Sequence, residues 1–238
     1  MDKKNVLLQP TPEVVAEVVA LLNEINTLEE QNPADRKPLC ELYDRYFALK
    51  NTYDLSDQIF EENGKKGLKN ITGTILLPAI YNDIKACFNY SPAPHVAIPV
   101  SNESGKYALV QSDGKGTPIT PFIYDDIDLL DYSNFYLAKK DQKYAVFTCR
   151  GKEFVPCIID YFIEYCNDIY AFHSDGKEGL FTSRGLYVPP IFDQVGGDDW
   201  VFVKKGNQSG YIDTEGNFID KDDEATDTAE LLAWTDDD

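Results

Sequence analysis

Five seven-residue segments constrain this chain more than any other feature. Each opens on Gly or Ala, continues with a large apolar residue and closes on Gly six positions later. They begin at Gly67, Ala108, Ala145, Gly179 and Gly210 and end at Gly73, Gly114, Gly151, Gly185 and Gly216, with starts 41, 37, 34 and 31 residues apart. Self-similarity at such a period marks a repeat architecture, in which each copy is one supersecondary unit. A unit this small cannot keep its apolar face out of water alone, so neighbours must stack.

The flanks repeat in step. Ile59-Phe60 leads to Asn63-Gly64, Tyr136-Leu137-Ala138 to Asp141-Gln142, Tyr170-Ala171-Phe172 to Asp175-Gly176, and Val201-Phe202-Val203 to Gly206-Asn207. Asn-Gly and Asp-Gly are two-residue hairpin signals, because a type I′ turn needs positive φ at both central positions. The second copy is weaker, running from Val96–Val100 into Ser101–Ser104. After the closing Gly comes a third apolar stretch, with a proline four residues before Asn or Asp. It reads Pro78 to Asn82, Pro121 to Asp125, Pro156 to Asp160 and Pro189 to Asp193. Proline cannot donate to a ladder, so this strand is expected at an edge or a bend. The fifth copy stops early, at Phe218-Ile219-Asp220. One repeat therefore reads as three short strands in two linked hairpins.

Residues 1–56 have a different texture. Thr11-Pro12 is a helix start, with a hydroxyl N-cap and proline at the first helical position. Val14, Val18, Leu21, Leu22, Ile25 and Leu28 then follow a helical period. Asn32-Pro33 repeats the start signal, and Leu39, Leu42, Tyr43, Tyr46 and Phe47 form a second stripe. This predicts helices over 11–31 and 33–50, paired as a hairpin placed to close the open edge of the first repeat. The expected fold is mainly β (α+β overall): an N-terminal helical hairpin over 1–56, a tandem antiparallel β-hairpin array over 57–220, solenoid or propeller-like, and an acidic tail over 221–238.

The repeats resemble the WG-repeat family of bacterial β-repeat proteins. The resemblance rests on Gly105-Lys106-Tyr107-Ala108-Leu109-Val110, Lys143-Tyr144-Ala145-Val146-Phe147, Pro78-Ala-Ile-Tyr-Asn82 and Pro121-Phe-Ile-Tyr-Asp125, and covers roughly 57–220. The family's Trp column is filled here by Lys66, Tyr107, Tyr144, Glu178 and Ser209. The resemblance implies a repeat scaffold for interactions and supplies no catalytic residues.

Charge narrows the partners. Asp plus Glu number 41 against 22 Lys plus Arg, a formal net charge of −19. Such a chain repels phosphate and offers no basic stripe, which argues against nucleic acid and anionic membranes. Val6–Leu8 is too short an apolar run for a signal-peptide core, and no stretch reaches the length of a membrane span. Five cysteines at irregular gaps (Cys40, Cys87, Cys149, Cys157 and Cys166) form no disulfide framework, and the reading is a cytoplasmic protein.

Chemistry-bearing patterns are thin. Cys149, Cys157, Cys166 and His173 lack the paired spacing of a zinc site and read as repeat variation. Asp125, Asp126 and Asp128 lack the glycine of a calcium loop and read as a solvated turn. No phosphate loop, metalloprotease motif or nucleophile elbow occurs, so neither cofactor, metal nor catalytic residue is expected. The candidate interaction surface is aromatic: Tyr132, Phe135, Tyr161, Phe162 and Tyr165, placed in loops between hairpins, with Trp200 and, in the tail, Trp234. The expected function is a non-enzymatic scaffold for a protein partner. The alternatives are an acidic inhibitor or immunity-type protein masking a basic partner, and a sugar-binding or enzymatic module on the repeat loops.

Overall fold

The structure, a computed structural model, describes residues 7–31, 37–85, 96–130, 135–166, 169–197, 200–222 and 231–232, without the side chains of 29, 30 and 164–166. These residues form two compact units, Met1–Phe122 and Ile123–Asp238. Among them are two helices and 18 strands in five small open sheets, with every strand pair antiparallel.

The first unit opens with α1 (Pro12–Gln31) and α2 (Lys37–Lys50). The Val14 N–H donates to Thr11 Oγ1 at 3.4 Å, which makes Thr11 the N-cap read from the sequence. The second expected start, Asn32-Pro33, lies outside the described residues. The two apolar stripes meet as Val18, Leu21 and Ile25 against Leu39, Leu42 and Tyr46, all buried. Leu55 completes this core, and from the first sheet Ile71 packs against it. That sheet is β1 (Gln58–Glu62), β2 (Lys65–Lys69) and β3 (Ile75–Tyr81), in that order. The helices do not cover its edge as expected. Gln58, Ile59, Glu61 and Glu62 of β1 stay exposed, because the helical stripes satisfy each other and take only the β2–β3 turn from the sheet. The second sheet is β4 (Asp83–Ile84), β5 (Ala97–Ser101) and β6 (Tyr107–Gln111). Leu68, Leu77 and Tyr81 of the first sheet bury against Ile84, Ile98, Val100 and Val110 of the second.

The second unit is three four-stranded sheets. The first is β7 (Asp126–Leu129), β8 (Phe135–Lys140), β9 (Lys143–Thr148) and β10 (Glu153–Ile159). The next is β11 (Tyr161–Cys166), β12 (Ile169–Ser174), β13 (Lys177–Thr182) and β14 (Tyr187–Phe192). The last is β15 (Gln194–Gly196), β16 (Phe202–Lys205), β17 (Gln208–Ile212) and β18 (Phe218–Asp220). Each runs in chain order from one edge to the other. The complete repeat thus has four strands, not three. The extra strand follows the Asp that was read as the end of the preceding copy.

Two clusters hold this unit together. Phe135, Val146, Val155 and Ile159 meet Tyr170, Phe172 and Phe181. Ile169, Ala171, Leu180, Val188 and Phe192 meet Val195, Val201, Val203 and Ile212. Each is a seam between consecutive sheets, where every large side chain taken from water contributes about 1.5–3 kcal/mol. Stacking therefore buries the face that one repeat alone leaves wet.

The small opening residue and the proline are two halves of one device. Register between the last two strands of the sheet (β2/β3, β9/β10 and β13/β14) slips by two residues at the same place in three copies. Lys66 pairs with Tyr81 but Leu68 with Leu77; Tyr144 with Ile159 but Val146 with Val155; Glu178 with Phe192 but Leu180 with Val188. The surplus residues are Pro78-Ala79, Pro156-Cys157 and Pro189-Pro190, on the edge strands β3, β10 and β14. The opening residue lies under this bulge. A Cβ on Gly179 would stand 2.7 Å from the Val188 carbonyl oxygen and 2.9 Å from the Pro190 nitrogen. In the fifth copy, without proline, Gly210, Tyr211 and Ile212 pair in unbroken register with Asp220, Ile219 and Phe218.

Turns follow their sequence signals. Asn63-Gly64, Asp141-Gln142 and Asp175-Gly176 have positive φ at both positions, whereas Gly206-Asn207 has it at the first alone. These are type I′ and II′ hairpins respectively. The closing glycines all lie between φ 77° and 101°, a region that favours Gly.

Candidate functional site

Asp125, Asp160 and Asp193, each four residues after a proline, staple the chain to the hairpin turn of the sheet that follows. The Asp160 carboxylate accepts the Asp175 N–H at 2.8 Å and pairs with Lys143 Nζ at 2.8 Å. Asp193 accepts the Gly206 N–H at 2.6 Å and pairs with Lys177. Asp125 accepts the Asp141 N–H at 3.1 Å. In the first unit Asn82 Oδ1 accepts from Lys65 Nζ at 2.7 Å, and Lys65 also reaches Glu103. In each of the second unit's three staples the carboxylate thus grips the hairpin turn of the following sheet. The nearby ammonium and N–H groups hold the Asp160 and Asp193 carboxyls below their ordinary range. These acids belong to the architecture, although their number and spacing could be taken for ion ligands.

A second column crosses the same seams. Lys66 Nζ meets Asp83 of β4 at 2.6 Å, the Tyr144 ring lies 6.4 Å from Phe162 of β11, and the Glu178 carboxylate accepts the Val195 N–H of β15. This is the column where the resembled family has Trp. Three different chemistries there reach one place, the first strand of the next sheet.

The aromatic candidates divide. Phe135 is buried at 4% exposure, stacked on Phe154 with centroids 4.9 Å apart, so it faces the core and not a loop surface. Tyr161, Phe162 and Tyr165 lie on β11 rather than in a loop, because the extra strand absorbs that stretch. Phe162 is half-buried beneath Tyr144, while Tyr161 is 54% exposed and stacks on His173, centroids 4.8 Å apart. Trp200 is 44% exposed. Tyr132 and Trp234 lie outside the described residues, as does the side chain of Tyr165.

Sequence reasoning missed a regular apolar column. Two residues after each proline stands an isoleucine: Ile80, Ile123, Ile158 and Ile191. On the edge strands β3, β10 and β14 alternation turns it outward while the next residue (Tyr81, Ile159, Phe192) turns inward and is buried, and beyond β6, where there is no strand, Tyr124 is likewise buried beside Ile123. Ile80 is 58% exposed, Ile191 41% and Ile123 36%, and Ile158 is half-buried. The signal was the identity of one residue type at one repeat position. It was read as ordinary strand apolarity.

Acid–base and metal chemistry have little to work with among the described residues. Cys149 and Cys157 are half-buried, the side chain of Cys166 is not described, and His173 Nδ1 approaches Asp160 at 3.3 Å. No group of three or more His, Cys, Asp or Glu gathers there as an ion cage. Burial pushes the Asp57 carboxyl up to about 6 and, with the Asp57 charge, raises the Tyr46 hydroxyl. No described helix is long and apolar enough to cross a membrane.

Charge is uneven. Residues 123–238 carry 25 acids against 10 bases, net −15, whereas residues 1–122 carry 16 against 12, net −4. Comparison with the models of known families and with curated proteins finds no match to this chain.

Proposed function

We propose that the chain is a non-enzymatic protein-interaction scaffold of the cytoplasm, built from WG-like β repeats. The outward isoleucine column carries this reading. Water-facing positions normally take polar residues, yet this repeat position holds Ile in four copies and is exposed in three, on the edge strands at Ile80 and Ile191 and outside any strand at Ile123. Exposed apolar side chains outside the core, within each unit, are what docking to a partner needs. Tyr161 and Trp200 add exposed aromatic area, the kind that anchors protein interfaces.

The test is a comparison of baits. Wild type and an Ile80→Lys/Ile123→Lys/Ile191→Lys variant are used for affinity purification from the native host. The expected result is a partner retained by wild type and lost by the variant, with unchanged melting of both. Identical recovered sets sink the reading.

A second reading, an acidic protein masking a basic partner, is favoured by the −15 concentrated in residues 123–238. Affinity that falls steeply between low and physiological salt selects it. Affinity that holds with salt and depends on the isoleucines selects the first.

A further inference from the structure

The C-terminal tail reaches back to the last sheet at two residues. The Leu232 N–H donates to the Ile212 carbonyl at 2.8 Å, and the Leu232 carbonyl accepts the Val201 N–H at 2.8 Å. Leu231 forms an antiparallel bridge with Asp213. The half-buried Leu232 side chain packs on the cluster of Val201, Val203 and Ile212. Recognition is therefore through the backbone, with one apolar side chain packed on the core, the logic of strand addition. The exposed Trp200 adjoins Val201 in the chain.

The occupant is electrostatically mismatched. Residues 220–238 carry nine acids against one Lys, net −8, and residues 123–219 carry 16 acids against 9 bases, net −7. The two described leucines thus anchor a net-acidic stretch of sequence to an acidic unit. We propose that the Val201–Ile212 notch is a docking site for an extended partner segment with an apolar pair flanked by basic residues, and that Leu231-Leu232 holds the site until that segment displaces it. The proposal goes beyond the scaffold reading and shares with the second one only a basic partner. Salt acts with opposite sign on the two occupants: it screens repulsion of the tail and attraction of the basic segment.

The experiment uses the full chain with Trp234→Phe, which leaves Trp200 as its one indole. A peptide Lys-Lys-Leu-Leu-Lys-Lys and its Glu-flanked counterpart are titrated at low salt, with Trp200 fluorescence as readout. The same titrations are run on a chain that also carries Leu232→Asp. The basic peptide is expected to bind the Leu232→Asp chain about tenfold tighter than the chain with its tail seated, and about tenfold tighter than the acidic peptide. Equal affinity for the two chains overturns displacement. Equal affinity for the two peptides overturns the charge rule, and no binding to either chain overturns the site. If Leu232→Asp unfolds the last sheet, the intact chain labelled at its C-terminus is titrated instead. Its anisotropy falls as the tail is released, and constant anisotropy at saturating peptide overturns the proposal. An Ile123→Ser/Ile191→Ser variant, which leaves the charge unchanged, binds the peptide as wild type does. Losing peptide docking while isoleucine-dependent capture persists therefore defeats this proposal alone, and the reverse pattern defeats the scaffold reading alone.

Discussion

The second and fourth repeats carry the same sequence signature and build different structures from it. In the fourth, Gly179 sits under the Pro189-Pro190 bulge and β14 pairs on both sides of it. In the second, Pro121-Phe-Ile-Tyr-Asp125 matches the pattern, yet no strand forms there after β6. Val110 makes a single bridge to Pro118, and the N–H groups of Ile119 and Thr120 both point at the Leu109 carbonyl. The Thr120 hydroxyl takes the Leu109 N–H at 2.9 Å, in place of a ladder bond. The closing turns differ as well. The Gly185 N–H returns to the Thr182 carbonyl within its own turn, whereas the Gly114 N–H goes to the Leu76 carbonyl of the first sheet. The division between the two units falls in this irregular stretch, at Phe122–Ile123. The proline motif alone does not make the last strand of the sheet. The strand forms where the residues facing the opening position accept the bulge, and a side-chain hydroxyl can displace it.

The sharpest break of this comparison is at the opening residues. Gly179→Val forces a branched side chain against the Val188 carbonyl, the Phe172 ring and the Pro190 nitrogen. Overpacking of this kind typically costs about 1–3 kcal/mol, and we place this site at the upper end because two of its three neighbours are backbone. Ala108→Gly removes one methyl from the buried position in the second repeat and is expected to cost about 1 kcal/mol. Denaturant midpoints of both variants check the ordering. Equal losses would mean that the bulge tolerates a side chain and that the shared small residue has another cause.

Thr120→Val comes next. Leu109 is fully buried, so removing the hydroxyl leaves its N–H without its acceptor, a loss of about 1–3 kcal/mol. Thr182→Val in the fourth repeat removes the acceptor of the half-buried Leu186 N–H, which already lies at 3.1 Å and can turn to water. It is expected to cost under about 1 kcal/mol. If the two losses match, Thr120 is an ordinary turn residue and does not account for the missing strand.

How far the sequence carries the reader depends on how local each feature is. Hairpin turns and closing glycines were legible because Asn63-Gly64 or Asp175-Gly176 states its own backbone requirement. The fourth strand was not. Asp126–Leu129 and Gln194–Gly196 are short and half polar, and only pairing to the following hairpin makes them strands. The Trp-like column hid its role because Lys66, Tyr144 and Glu178 share a destination and no chemistry. Of the candidate surface, Tyr161 and Trp200 stand exposed, while Phe135 turned inward. An aromatic residue at a strand start reads the same whichever face it takes, and neighbouring sheets decide.

The smallest effect separates the two repeats by pH. The turn of the second is held by Asp113, whose carboxylate accepts the N–H groups of Lys115 and Gly116 at 2.9 and 2.8 Å and the Thr117 hydroxyl. These bonds pull its carboxyl down to about 2, with the Thr117 hydroxyl contributing most. The turn of the fourth is held by a hydroxyl, which does not titrate there. A carboxyl depressed in the folded chain adds stability that is complete above its unfolded value, near 4, and is lost as pH falls through the folded value. Acid therefore loosens the Asp113 turn between about pH 4 and 2 and leaves the Thr182 turn unmoved. Amide NMR shifts followed through that range should move with one titration at Lys115 and Gly116 and stay flat at Leu186. The group is exposed, so the effect on global stability is screened and the local shifts are the proper readout. Asp113→Asn keeps an oxygen acceptor and should flatten the titration without undoing the turn. If the second turn still responds to acid in that variant, another carboxylate governs it, and the contrast between the two turns does not lie in their acceptors.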